Sequence, residues 1–182
     1  IKKASEKDTA NYEEISLEGY AVNGIAVFVD CATNNNNRTV ADVRSYFNKC
    51  DGALGTNGSL EFIFNRKGVF TINPANIKLD VEDLEMELID AGLEELEVDR
   101  DTVTVYCNFT DFNNMQTKLE DLAIKIENSE LQRIPNSFKK ITHIQSEKVL
   151  KLLDLLEEND DVQQVFHNME LTDEILNAIE NE

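Results

Sequence analysis

The side chains best placed for chemistry in this sequence are cations: Arg38, Arg44 and Lys49 within one amphipathic run, then Arg66 and Lys67 beside Gly68. A guanidinium or an ammonium is what a phosphate contact requires, and a cation at a hairpin tip reaches outward. The competing reading of these residues is ordinary surface charge, paired with acids such as Asp42 or Asp51. Between the two groups, Gly55, Thr56, Asn57 and Gly58 make a candidate anion-binding loop, because consecutive backbone amides can form an anion nest. Its plainer reading is a run of turn residues that tolerate positive φ at Gly52, Gly55 and Gly58.

Other reactive chemistry is missing from the sequence. His143 and His167 have no partner at metal-ligand or general-base spacing, and there is no C-x-x-C, H-E-x-x-H, G-x-S-x-G or P-loop motif. The glycines at 52, 55 and 58 follow a helical pattern and precede none, so they do not match a dinucleotide fingerprint. No cofactor and no metal site is expected, and the protein is read as a non-enzyme. Tyr46 and Phe47 read as helix core or half-exposed, so no aromatic interleaves the cations as a stacking platform. A ferredoxin-like sheet is nonetheless a fold that can carry RNA binding.

The cations need elements to hold them. Val40, Val43 and Phe47 share one helical face, which predicts a helix over about Arg38 to Cys50, with Asn37 or Thr39 as N-cap. Alternation predicts strands at Ile15–Gly19 and Ile25–Asp30, joined through an Asn23-Gly24 hairpin turn. Further strands are expected at Leu60–Phe64 and Val69–Ile72, with Arg66-Lys67-Gly68 as the turn between them. Beyond Asn73-Pro74 come a short acidic helix ended by Gly92, strands at Leu93–Val98 and Val103–Phe109, and a helix over about Asn113 to Ile126. Extended segments around Pro135, a helix from Ser146, a strand near Val162–Phe166 and a Thr172-capped helix complete the chain.

The first part supplies one helix for its strands, and the second helix-strand pair arrives only at Ser146–Asn168. The expected fold class is therefore α+β: two ferredoxin-like α/β sandwich domains with antiparallel sheets, the second inserted into the first. The expected boundaries are 11–73 plus 145–182 for the discontinuous domain and 74–144 for the insert, an acidic αββαβ unit. Val69–Ile72 suits either sheet.

Net charge is −19. Residues 1–79 hold nine Lys/Arg and nine Asp/Glu, so the excess lies in residues 80–182, densest from Asp80 to Asp101. Such a surface repels a phosphate backbone. The acidic run reads either as a solvated helix face or as a dock for a basic protein partner. No apolar run approaches a membrane span of about 20 residues, so no membrane partner is expected. Three widely spaced cysteines, Cys31, Cys50 and Cys107, argue for thiols in a reducing, cytoplasmic setting.

The runs NYEEISLEGYAVNGIAVFVDCATN, NRTVADVRSYFNK and GALGTNGS, followed more weakly by LQRIPNSF, together resemble the YebC/PmpR family of bacterial regulators. The resemblance implies the discontinuous two-domain arrangement and a DNA-binding transcriptional regulator. Relatives that act at the ribosome leave a translation factor binding ribosomal RNA and protein as the alternative, and a pure protein-interaction module is a third reading. The family also begins with a basic helical module, of which residues 1–10 are read as a remnant. The chain is accordingly read as a fragment, with DNA met through the full-length protein.

Overall fold

The computed structural model describes residues 11–181, so the expected remnant at 1–10 lies outside the described residues. Two compact units divide the chain. The first takes the described residues up to Phe64 together with those from Pro135 onward; the second is Asn65–Ile134. Each contains one four-stranded sheet, and five α-helices accompany the two sheets among the described residues. The class is α+β with antiparallel sheets, as the sequence predicts.

In the first unit, β1 (Glu13–Ala21) and β2 (Ile25–Thr33) form a hairpin across the Asn23-Gly24 turn. Both turn residues adopt positive φ, 65° and 73°, the geometry that makes Asn-Gly a hairpin signal. The sheet order is β3-β1-β2-β8, with β3 (Ala53–Leu54) and β8 (Val162–His167) at the edges. Alternation along β2 has two destinations. Val27, Val29 and Cys31 enter the core beneath α1 (Asn36–Lys49) and α4 (His143–Glu158), where they meet Val43, Phe47, Val149, Leu152 and Leu156. Ala26 and Phe28 face the other way and are covered by Leu60, Phe64 and Phe166. Both faces of β2 are thus dry, which explains its nearly unbroken apolar run.

The helix ends follow from local hydrogen bonding. Asn35 caps α1, its side-chain oxygen accepting from the Arg38 backbone amide at 3.1 Å, two positions before the earlier of the two expected caps. Thr142 and Gln145 form a reciprocal capping box that starts α4 three residues before the expected Ser146. Thr172 caps α5 (Asp173–Glu180), as the sequence predicts.

The second unit runs β4 (Phe64–Ile72), α2 (Val81–Ile89), β5 (Leu93–Val98), β6 (Val103–Asn108), α3 (Phe112–Asp121) and β7 (Asn128–Pro135). Its sheet order is β5-β6-β4-β7, the ferredoxin-like βαββαβ arrangement. Phe70, Ile72, Val105 and Cys107 pack against Leu84 and Leu88 of α2 and Met115 and Leu119 of α3. β4 therefore belongs to this unit, and the division falls at 64/65 and 134/135 rather than at 73/74 and 144/145.

That placement removes the expected hairpin. Residues 60–63 form a turn, and 64–72 is one continuous strand with Gly68 opposite Cys107. Gly68 is a close-packing glycine: a Cβ there would stand 2.9 Å from both Cys107 Sγ and the Phe112 ring. Of the extended segments expected on either side of Pro135, the later one, 138–141, makes only a single bridge, between Lys139 and Met169. The third helix stops at Asp121, well short of Ile126, as Ala123 turns to a φ of 59°.

Candidate nucleic-acid interface

The five cations expected to meet phosphate divide between the two units. Arg38, Arg44 and Lys49 ride on α1 of the first; Arg66 and Lys67 lie in β4 of the second. On a helix advancing about 100° per residue, Arg44 points roughly 120–140° away from both Arg38 and Lys49. The trio does not share one face.

Arg38 is tied into the fold. Its Nη2 donates to Asp161 Oδ2 at 3.0 Å and to Asn34 Oδ1 at 3.2 Å. Asp161 is buried, and the same Oδ2 accepts from Thr39 Oγ1 at 2.9 Å, which is itself 2.7 Å from Thr33 Oγ1. The guanidinium thus fastens the first turn of α1 to the start of β8, with about half its side chain (49%) left in solvent. Arg44 and Lys49 are exposed and make no ion pair with any described residue.

Packing of α1 on α4 adds cations that the sequence reading did not group. Lys148 pairs with Asp51, and Lys151 follows it by three residues, the spacing of helix neighbours. Burial pushes the Cys50 thiol up, and Lys151, Lys148 and Lys49 together pull it partly back. All three ammoniums therefore stand around the C-terminal end of α1. Only the antiparallel docking of the two helices brings 49 and 148–151 together, so sequence spacing carried no signal of it.

In β4, Lys67 Nζ lies 3.2 Å from Glu94 Oε2, and the Arg66 guanidinium stacks 5.4 Å over the Phe109 ring. Neither residue tips a hairpin. The candidate anion loop at Gly55, Thr56, Asn57 and Gly58 carries its own anion. The buried Glu18 carboxylate accepts from the Gly58 amide, where φ is 91°, and from the Leu60 amide at 3.1 Å; the Glu18 carbonyl takes the Gly55 amide at 2.8 Å. Among the described residues, no group of three or more His, Cys, Asp or Glu side chains is placed to hold a metal ion.

The charge division also changes once the fold is known. Returning residues 135–182 bring acids back to the first unit, which holds ten Lys/Arg against 20 Asp/Glu; the second holds seven against 16. The balance of residues 1–79 therefore does not carry over to the first unit as folded. Cations stand out there as a local cluster on an acidic body.

The family model for the TACO1/YebC second and third domain matches residues 12–169. The chain belongs to the TACO1/YebC family. Among its relatives, the "Probable transcriptional regulatory protein" of Porphyromonas gingivalis is 51% identical over 169 residues, covering 93% of this chain and 69% of that protein. A similarly named protein of Flavobacterium psychrophilum is 50% identical, covering 93% of this chain and 71% of its own length. The crystal structure of a conserved hypothetical protein, Aq1575 from Aquifex aeolicus, matches with a TM-score of 0.77 at 35% identity, over 94% of this chain and 70% of that one. The TACO1/YebC match thus includes α1, the Glu18 loop and the lysines of α4. No described helix is long and apolar enough to cross a membrane.

Proposed function

We propose that this chain acts as a cytoplasmic, non-enzymatic transcriptional regulator that binds DNA as part of the full-length protein. The observation that carries the reading is the name shared by relatives that are half identical to the chain over nine tenths of its length. Exposed cations at Arg44, Lys49, Lys148 and Lys151 supply phosphate contacts, and such contacts position a protein without reading sequence. Arg38 contributes only the solvent-facing part of a guanidinium already held by Asp161. Arg66 and Lys67, each engaged within the second unit, are secondary contacts. The strongly acidic α2–β5 stretch repels DNA, so its natural partner is a basic protein surface.

The test is duplex binding across a salt series, with fragments of the source genome competing against unrelated DNA. A discrete set of fragments should remain preferred as salt rises. Equal binding to all DNA that vanishes near about 0.2 M salt would leave only the non-specific phosphate contribution and overturn the regulator reading. Co-sedimentation with ribosomes, without any preferred duplex, would transfer the function to translation.

A further inference from the structure

Phe62 is 89% exposed, a rare position for a phenylalanine ring. It is not at the end of a loose loop. Leu60 and Phe64 on either side are buried, and the Ile63 amide donates to the Leu60 carbonyl at 3.0 Å. Asn136 then clamps the segment from outside: its side-chain amide donates to the Phe62 carbonyl at 2.7 Å, and its backbone amide to the Ile63 carbonyl at 2.8 Å. Two residues beyond Asn136 stands Phe138, 58% exposed, followed by exposed Lys139 and Lys140. Lys139 is held by its backbone, donating to the Asn168 carbonyl and accepting from the Glu170 amide at 2.9 Å, with its ammonium over Gly24. All of these residues lie in the first unit.

We propose that Phe62 and Phe138 form a base-stacking platform, with Lys139 and Lys140 meeting the phosphates of a single-stranded or locally opened nucleic acid. With its backbone pinned, the Phe62 ring stays bare in water with an open face, and every nucleobase has a face to match it. Lysines beside the rings supply the counter-charge that the backbone between two stacked bases requires. A protein hot spot would instead ask for a wider apolar surround excluding water from the anchor, whereas the sequence neighbours here are charged and exposed: Glu61 before Phe62, Lys139 and Lys140 after Phe138. Glu61, next to Phe62 in the chain, and Glu170, whose amide donates to the Lys139 carbonyl, limit the positive charge there. The proposal rests on the nucleic-acid reading of the function and adds bases to what α1 and α4 offer, which is charge alone.

The chain contains no tryptophan, so Phe62→Trp installs a single reporter at the platform. Titration with oligo-dT or oligo-rU should quench its fluorescence. Phe62→Ala should weaken binding of a dye-labelled oligonucleotide by roughly 5- to 100-fold at unchanged thermal stability, because the ring contributes little to the core. A Lys139→Ala, Lys140→Ala double variant should chiefly flatten the salt dependence. Binding by anisotropy without quenching, and unaffected by Phe62→Ala, overturns the platform while leaving the nucleic-acid reading intact. Absence of binding to both single strands and duplexes overturns the two together. Weakened ribosome sedimentation of Phe62→Ala at unchanged oligonucleotide affinity would reassign the rings to protein docking and overturn stacking.

Discussion

Arg38 and Asp161, separated by 123 positions in sequence, meet at 3.0 Å and join the N-terminal turn of α1 to the entry of β8. The partners differ in environment: the carboxylate is buried and the guanidinium half in solvent. Removing Asp161 leaves Thr39 without one acceptor inside the fold, whereas removing Arg38 exposes less. Asp161→Ala should therefore cost about 2–4 kcal/mol and Arg38→Ala about 1 kcal/mol or less. Urea unfolding of the two variants checks the order; equal losses would refute the asymmetry.

Arg44 and Lys49 are the α1 cations with no structural ion pair to lose. An Arg44→Ala, Lys49→Ala double variant should retain wild-type stability while the slope of log affinity against log salt for duplex DNA falls by about 2. An unchanged slope would place the phosphate contacts elsewhere.

The Glu18 carboxylate organises the loop that follows β3. Glu18→Ala strands two amides in a site built for an anion and should cost about 2–4 kcal/mol. Amide exchange at Gly58 and Leu60 should speed up by more than exchange in the core of β2. Intact protection of both amides in the variant would count against the carboxylate as the organising group.

His167 carries a pH signature. Burial holds it below the ordinary histidine value, and its Nδ1 accepts from the Met169 amide at 3.1 Å, which only the unprotonated nitrogen can do. The native ring is neutral, so the unfolded chain takes up the proton first. Stability attributable to this residue is complete above about pH 6.5 and declines as pH falls from there toward the lowered native value. His167→Gln should lose less melting temperature than wild type between pH 7.5 and 5.5. A parallel decline in both proteins would remove His167 as the cause.

Much of the fold was readable because its signals are local. Alternation in β1 and β2, the Asn23-Gly24 turn, the apolar stripe of α1 and the Thr172 cap each announce an element within a few residues. What stayed hidden depends on partners far away in sequence. Gly68 reads as a turn glycine until Cys107 and Phe112 are seen pressed against it, and without that turn Arg66 and Lys67 lose their hairpin. The loop at residues 55–58 reads as a candidate anion nest because Glu18, some 40 residues upstream of Gly58, looks like any surface acid. Lys148 and Lys151 gain meaning only beside Lys49, and Phe62 sits in an alternating pattern that mimics a strand whose inward residues are the real anchors.

Because β4 runs between β6 and β7, it is the keel of the second sheet rather than a tail of the first. A shortened gene opening at Asn73 would yield a polypeptide whose remaining strands flank a gap, with two raw edges inviting aggregation. One opening at Asn65 keeps the spine and is the version to express when the second unit is wanted alone.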